Sequence, residues 1–265
     1  MSEPATEPAS PGLRPSLAEL RAVAQPESTM SRRNAEHWLA RLVLRKVSLP
    51  ITRELLRTPV SANQLTGLMI VVGLLAAVAA GLGGLGWAIA AFVGVQVYFL
   101  LDLCDGEVAR WRRTTSVTGV YLDRVGHYIV EAALLSAYGF RAGGQHFGAW
   151  STVGVAAGLC ALLVKAETDL VDVARVRSGR PAAADEAAVP RSAALGALRR
   201  AAQVLKIHQL TGALESSFLL LVAAVVDVAT DSLHGSRVLA GLMLGIAATM
   251  AVLHLASILL SRRLE

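Results

Sequence analysis

Charged and aromatic residues are both scarce in this sequence of 265 residues. Asp, Glu, Lys and Arg together make up 17% of it, and aromatic residues make up 5%. Because average soluble domains carry about 25% charged residues, the composition argues against an ordinary soluble enzyme. The hydrophobic fraction is 54% and the mean hydropathy is +0.52. The excess of Ala, Leu, Val and Gly is instead typical of closely packed membrane helices.

Cysteine is almost absent, which argues against a disulfide framework or a thiolate metal site. The two cysteines, Cys104 and Cys160, fall in apolar segments and form no metal-binding motif, so we expect reduced thiols. The net charge is +5, but the basic residues lie beside apolar runs rather than in a separate domain. This arrangement predicts contact with anionic lipid and no nucleic-acid partner.

The composition divides the chain into three regions. Residues 1–30 are rich in Pro, Ser, Ala and Glu and lack the pattern of a signal peptide, which predicts a disordered tail. Residues 31–60 interleave apolar and basic side chains, which predicts an N-terminal interfacial amphipathic helix with a bend at Pro50. Residues 61–265 hold long apolar runs, so we expect an all-α membrane protein with six transmembrane helices.

Loop charges predict the orientation of these helices. The basic segments 110–113, 175–206 and 262–263 share one side with the N-terminal region, and few basic residues lie on the other side. Lys and Arg favour the cytoplasmic side, which predicts a bacterial-type inner or plasma membrane protein with both termini cytoplasmic. The six predicted spans run over residues 65–82, 85–103, 119–138, 150–173, 210–228 and 238–260.

A cluster of carboxylates joins the second span to the third. Asp102 and Asp105 share a helix face with the small residues Gly106 and Ala109, and Asp123 lies near the start of the next helix. Carboxylates at a membrane boundary are costly and repel one another unless a cation lies between them. Because Mg²⁺ prefers oxygen ligands and often shares them with substrate phosphates, the cluster predicts a metal and phosphate site. Arg110 is suited to clamping a phosphate.

The spacing of these residues is similar to the signature of the CDP-alcohol phosphotransferases, D-x2-D-G-x2-A-R-x8-G-x3-D-x3-D. The resemblance extends to Asn63 and Thr66 at the entry of the first span, and to Lys165 with Asp169 at the end of the fourth. The signature positions that match are Asp102, Asp105, Gly106, Ala109, Arg110, Gly119 and Asp123.

The resemblance implies a reaction and a set of roles. Asp102, Asp105 and Asp123 would hold one or two Mg²⁺ or Mn²⁺ ions, which bind the pyrophosphate of a CDP-linked donor. An acceptor hydroxyl would attack the β-phosphorus of the donor with release of CMP, in phospholipid biosynthesis at the cytoplasmic face, and Asp123 would belong to the catalytic residues. The family also implies a homodimer. The residues implied to border the nucleotide are Asn63, Thr66, Asp105, Gly106, Ala109, Arg110 and Gly119.

The last signature position departs from the family, because His127 stands where an aspartate is usual. Three interpretations follow. His127 is the general base, since imidazole is suited to accepting a proton near neutral pH. Alternatively, it is a metal ligand, which would shift the preference toward Mn²⁺ or Zn²⁺. In the third interpretation it is structural, and the protein is a weak or inactive relative that acts as a membrane scaffold.

The acceptor and donor are less specified by the sequence. Arg124 and Lys165 are predicted to bind an anionic acceptor, whereas residues 212–216 lack the arginines typical of relatives that use inositol phosphate. The candidate donors are CDP-diacylglycerol and a soluble CDP-alcohol, and the acceptor is a small or lipid alcohol. Glu215 is predicted to pair with Lys165 or to line the cavity. A transporter is the rival from another class, but the carboxylates gather at one interface and no repeat is evident.

Overall fold

The structure is a computed structural model, and it describes residues 15–26, 44–181, 210–261 and 264. Within these residues it contains eight helices and no strand. The described residues form two compact units, those within residues 1–69 and 99–123 and those within residues 70–98 and 124–265. The helices are α1 (Leu17–Ala24), α2 (Arg45–Leu55), α3 (Ala62–Gly81), α4 (Leu85–Arg112), α5 (Val117–Ala142), α6 (Ala149–Arg177), α7 (Ala213–Thr230) and α8 (His234–Leu259).

All six apolar runs predicted as spans form helices, from α3 to α8. Five of them, namely α3, α4, α6, α7 and α8, are long and apolar enough to cross a membrane. The exception is α5, which has 26 residues but carries Asp123, Arg124, Glu131 and Arg141 along its length. The chain is therefore all-α over the described residues and has the composition of an integral membrane protein, while the six-span topology stays a prediction.

Of residues 1–30, where the sequence predicts a disordered tail, the structure describes residues 15–26, and residues 17–24 form α1. Ser16 caps this helix: its hydroxyl accepts a hydrogen bond from the backbone N–H of Glu19, whose carboxylate accepts one from the backbone N–H of Ser16. Such a reciprocal capping box satisfies two N–H groups at a helix start. Leu20 and Ala24 are fully buried, so burial of one apolar face adds to the capping.

The predicted amphipathic segment, residues 31–60, is partly described. Residues 31–43 lie outside the described residues, and α2 follows with Pro50 inside the helix. Its buried face is largely polar, since Ser48 and Thr52 are fully buried while Ile51 is exposed. The location of this segment at a membrane surface stays a prediction.

The first unit is built around a small apolar cluster. α1 packs against α2, and both contribute side chains that meet the end of α4. Packing against this cluster fixes the rotation of the last turns of α4 about the helix axis. It therefore determines the direction in which the polar side chains on the other faces of α4 point. Its buried members are Leu20, Ala24, Leu49, Leu56, Leu65, Val108 and Trp111.

In the second unit, α8 packs against α6 and α7, and glycines allow α5 and α6 to approach closely. A Cβ atom built on Gly139 would lie 2.6 Å from the Cα of Gly154, and one built on Gly158 would lie 2.7 Å from the carbonyl oxygen of Ala132. Real Cβ atoms essentially never show such contacts, so larger residues would force the helices apart. Close approach through small residues is typical of membrane helix pairs.

Candidate metal and phosphate site

The site begins with the turn that joins α4 to α5. The N–H of Thr114 donates to the carbonyl of Ala109 at 2.9 Å, and the N–H of Arg113 donates to that of Arg110 at 3.3 Å. Together with the left-handed backbone of Arg113 (φ 53°), this is a Schellman motif, which ends a helix and reverses the chain. Ser116 then starts α5, since its hydroxyl accepts from the N–H of Gly119 at 3.0 Å.

Two aspartates of the first unit form a candidate metal group, and the histidine follows one of them along the same helix. Asp102 lies on α4, and Asp123 and His127 lie one turn apart on α5. Asp102 and Asp123 each offer one carboxylate oxygen, and these two atoms lie within 4.8 Å of each other. All three side chains are partly exposed, so a cation could reach them. Oxygen and imidazole ligands of this kind suit Mg²⁺, Mn²⁺ or Zn²⁺.

Asp105, the third predicted ligand, lies beside this group rather than within it. Its side chain is 8% exposed, and its Oδ2 accepts a hydrogen bond of 2.5 Å from the hydroxyl of Thr66. Its charge also interacts with those of Asp102 and Asp123. The threonine at the entry of α3 therefore orients a carboxylate that is largely shielded from water.

The predicted nucleotide-binding residues lie on the same elements of the first unit. A Cβ atom on Gly119 would lie 2.9 Å from Oδ1 of Asn63, so a larger residue here would displace the amide of Asn63. A Cβ atom on Gly106 would lie 3.0 Å from Nη1 of Arg110, which shows that the guanidinium lies across the bare backbone of α4. Ala109 is partly exposed on that helix.

Glu107, which the spacing of residues does not identify as a site residue, is a buried carboxylate next to Gly106 on α4. Glu107 is fully buried, and its oxygens accept hydrogen bonds from the side chains of Ser48 (2.6 Å), Thr52 (2.7 Å) and Gln25 (2.7 Å). Three neutral donors on two other segments therefore satisfy one carboxylate, as burial of a charge requires. Glu107 ties α2 and the end of α1 to the helix that carries Asp102 and Asp105.

His127 has a tyrosine partner that was also missed. The hydroxyl of Tyr98 and Nδ1 of His127 form a hydrogen bond, and the two rings meet edge to face at 5.6 Å between centroids. Tyr98 is fully buried. A Cβ atom on Gly73 would lie 2.9 Å from Cδ2 of Tyr98, so this glycine makes room for the ring. The tyrosine thereby fixes the orientation of the imidazole.

The two predicted acceptor-binding cations are both ion-paired. Lys165 Nζ lies 2.8 Å from a carboxylate oxygen of Glu131, and the pairing of Lys165 with Glu215 stays a prediction. Arg124 pairs with Asp169, whose other oxygen accepts a hydrogen bond of 2.5 Å from the hydroxyl of Tyr128. These pairs link α5 to α6 in the second unit.

Comparison with known proteins gives one family. The model of the family described as CDP-alcohol phosphatidyltransferase matches residues 59–261, well over half of the chain. No curated protein matches the sequence. The matched range includes both helices of the candidate site and excludes α1 and α2.

Proposed function

The chain belongs to the CDP-alcohol phosphatidyltransferase family, and from this premise we propose that it is an active, metal-dependent membrane enzyme. The family implies transfer of a phosphatidyl-type group from a CDP-alcohol in phospholipid synthesis, and it generally depends on divalent metals. The observation that carries the proposal is the pair of Asp102 and Asp123, whose carboxylate oxygens lie within 4.8 Å of each other. These residues stand on consecutive helices at the spacing of the family signature.

The donor set fits Mg²⁺ or Mn²⁺. Asp102 and Asp123 offer oxygen ligands to a shared position, and Asp105 is oriented nearby by Thr66. Such carboxylates repel one another without a cation, and hard divalent ions prefer them. When bound, the ion would neutralise the diphosphate of the donor and stabilise the departing CMP.

His127 is proposed as the group that receives the proton. As the oxygen of the acceptor alcohol forms a bond to the β-phosphorus, the hydroxyl proton passes to the imidazole. The bond between that phosphorus and the bridging oxygen breaks, and its electron pair leaves with CMP. Tyr98 supports this role because its hydroxyl holds Nδ1 and so orients the ring for proton transfer through the other nitrogen.

Arg110 and the bare backbone at Gly106 and Gly119 are proposed to border the nucleotide, with Ala109, Asn63 and Thr66 nearby. The donor would be CDP-diacylglycerol or a soluble CDP-alcohol, and the acceptor a small or lipid alcohol. Arg124 and Lys165 are proposed to attract the acceptor, although their ion pairs with Asp169 and Glu131 must then open or share their charge. We further propose six spans, a cytoplasmic site and termini, and a homodimer.

A CMP-release assay tests the function. The purified protein would be incubated with CDP-diacylglycerol, a panel of alcohols and either Mg²⁺ or Mn²⁺. We expect CMP release that EDTA abolishes and that Asp123→Asn reduces by roughly 100-fold or more. Asp231→Asn is the matched control, because Asp231 is exposed and its left-handed backbone (φ 46°) tolerates asparagine. No release with any donor, alcohol or metal would favour an inactive scaffold instead.

Variants of His127 separate its three interpretations. If it is the base, His127→Ala loses about 100-fold or more in kcat, while His127→Asp restores part of the rate in the same metal. If it is chiefly a ligand, His127→Ala instead weakens Mn²⁺ binding and His127→Asp shifts the preference toward Mg²⁺. An alanine variant that turns over as fast as the parent would exclude both roles.

A further inference from the structure

The C-terminal end of α1 contacts the candidate site from outside the range that the family shares. α1 ends at Ala24, whereas the family match begins at residue 59. The carbonyl oxygen of Ala24 accepts a hydrogen bond of 2.6 Å from Nε of Arg110, and the next residue, Gln25, donates one of 2.7 Å to Glu107. Two consecutive residues thus contact two side chains that lie three positions apart on α4.

These contacts determine where the guanidinium of Arg110 points. The Ala24 carbonyl engages only Nε, one of several N–H donors. Nη1 and Nη2 lie across the backbone of α4, at 3.0 and 3.3 Å from the position that a Cβ atom on Gly106 would occupy. The carbonyl carries no net charge, so this contact does not itself neutralise the guanidinium, whose charge also interacts with those of nearby carboxylates, Glu107 first among them. The guanidinium is therefore held in one orientation while its forked outer edge keeps the capacity to bind a phosphate.

Burial and hydrogen bonds hold α1 in place, so α1 can in turn hold the side chains that it contacts. Leu20 and Ala24 are fully buried in the apolar cluster of the first unit. Gln25 also donates to the carbonyl of Arg45 at 3.1 Å, which links the end of α1 to the start of α2. A helix held by burial and by side-chain hydrogen bonds can orient a long, flexible arginine and lower the entropy that is lost on ligand binding.

We propose that α1 is a positioning element for the CDP-linked donor: Ala24 and Gln25 hold Arg110 and Glu107 so that the arginine meets the diphosphate in its binding orientation. The inference rests on the proposed function, in which Arg110 borders the nucleotide. The same contact, read as sequestration of Arg110, would instead make α1 an inhibitor. Positioning is favoured because the contact occupies a single N–H group and adds no negative charge.

Unseating α1 by a neutral substitution tests the proposal. Leu20→Asn places an amide in the apolar cluster, and its matched control is Val23→Asn on the exposed side of the same helix, where the residue is 47% exposed. The readout is the dissociation constant of cytidine 5′-diphosphate, the part that all candidate donors share, in the presence of Mn²⁺. We expect Leu20→Asn to weaken binding about tenfold, in line with the loss of a hydrogen bond to a charged group, and Val23→Asn to leave it unchanged.

A second variant and a double-mutant cycle guard against a general loss of folding. Gln25→Ala keeps the apolar seat of α1, and we expect it to weaken binding about threefold because only one hydrogen bond to the carboxylate is lost. In an Arg110→Ala background, Leu20→Asn should have no further effect on the dissociation constant, since α1 is proposed to act through that arginine. In CMP release, the Leu20→Asn enzyme should show a raised KM for CDP-diacylglycerol with kcat largely kept.

The outcomes are distinct. Weaker binding that depends on Arg110 supports positioning. Tighter binding or faster turnover in Leu20→Asn would overturn it in favour of inhibition by α1, and an unchanged constant, or an equal loss in the Arg110→Ala background, would leave α1 with a structural role only. If the parent protein does not bind cytidine 5′-diphosphate at all, it is the proposed function that fails.

Discussion

Two fully buried ionisable side chains, one in each unit, are satisfied in different ways. Glu107 in the first unit accepts hydrogen bonds from three side chains that belong to other segments. Arg141 in the second unit donates mainly to the backbone, to the carbonyls of Leu82 and Gly84, and also to the hydroxyl of Ser236. Both arrangements offset the cost of burying a charge.

The neighbours of the two groups differ more than their burial does. Glu107 lies on α4 between Asp105 and Arg110, so its hydrogen bonds fix the rotation of a helix that carries candidate ligands. Arg141 holds the turn between α3 and α4, which contains none of the predicted site residues. The comparison indicates that a buried charge near the signature serves the site as well as the fold, whereas the buried arginine serves the fold alone.

The largest effect should come from substituting a buried carboxylate of the first unit, with a buried carboxylate of the second unit as its matched control. Asp105 and Asp227 are each 8% exposed, and each accepts a hydrogen bond from a hydroxyl, of Thr66 and Ser236 respectively. We expect Asp105→Asn to reduce CMP release by roughly 100- to 1000-fold, as for the loss of a group that stabilises the transition state. Asp227→Asn should leave kcat within about twofold of the parent, because the carboxylate of Asp227 accepts its hydrogen bonds from Ser236, which is not a predicted site residue. Equal losses of activity would break the distinction between the units.

The second-largest effect concerns the stability of the protein as well as its binding of nucleotide. Glu107→Ala and Arg141→Met each leave buried polar partners without their charge, at a cost of roughly 1–3 kcal/mol for each group left unsatisfied. Both variants should therefore lower the thermal unfolding midpoint in detergent. Only Glu107→Ala should also weaken binding of cytidine 5′-diphosphate, because it frees the end of α1. A parallel loss of nucleotide binding in Arg141→Met would show that destabilisation alone accounts for the effect.

Tyrosine hydroxyls provide a smaller and sharper test. Tyr98 bonds His127, whereas the equally buried Tyr138 bonds the hydroxyl of Ser216 at 3.0 Å. We expect Tyr98→Phe to lower kcat for CMP release about tenfold, comparable to one hydrogen bond to a charged group, with donor KM unchanged. Tyr138→Phe should lower kcat little. In a His127→Asp background the Tyr98 effect should vanish; if it persists, the tyrosine does not act through the histidine.

The smallest effect should come from the start of α1. Ser16→Ala removes the cap and should destabilise the helix by about 1 kcal/mol, measured as faster amide hydrogen exchange over α1. The hydrogen bonds from the backbone and side chain of Ser16 lower the pKa of Glu19. The stabilisation is therefore present above the ordinary pKa of glutamate and is lost as the pH falls through the lowered value in the folded protein. Exchange that is independent of pH, after correction for its intrinsic rate, would contradict this.

The helices and the signature residues were predictable because both depend on local spacing. Apolar runs predicted α3, α6, α7 and α8 to within four residues of their ends, whereas α4 continues nine residues beyond the predicted span 85–103. The spacing of Asp102 and Asp123 predicted that their carboxylates lie close together. The helix α5 was predicted as well, although its polar residues keep its membrane crossing a prediction. Even α1 had a local signal, since Ser16 and Glu19 form the S-x-x-E pattern of a capping box, but the surrounding prolines and serines obscured it.

The partners of Glu107 and His127 were not predictable, because they come from distant parts of the chain. Gln25 lies 82 residues before Glu107, and Tyr98 lies 29 residues before His127. A glutamate within a signature is indistinguishable by spacing from an exposed one. Only the packing of α1 and α2 on α4 reveals that it is buried, and only the space left by Gly73 reveals where the Tyr98 ring lies.

Titration of the purified protein with Mn²⁺, followed by electron paramagnetic resonance with and without cytidine 5′-diphosphate, tests the central claim most directly. The account predicts saturable Mn²⁺ binding that the nucleotide strengthens and that the combined change of Asp102, Asp105 and Asp123 to asparagine abolishes. Absence of Mn²⁺ binding in the parent, or equal binding in the triple variant, would contradict it.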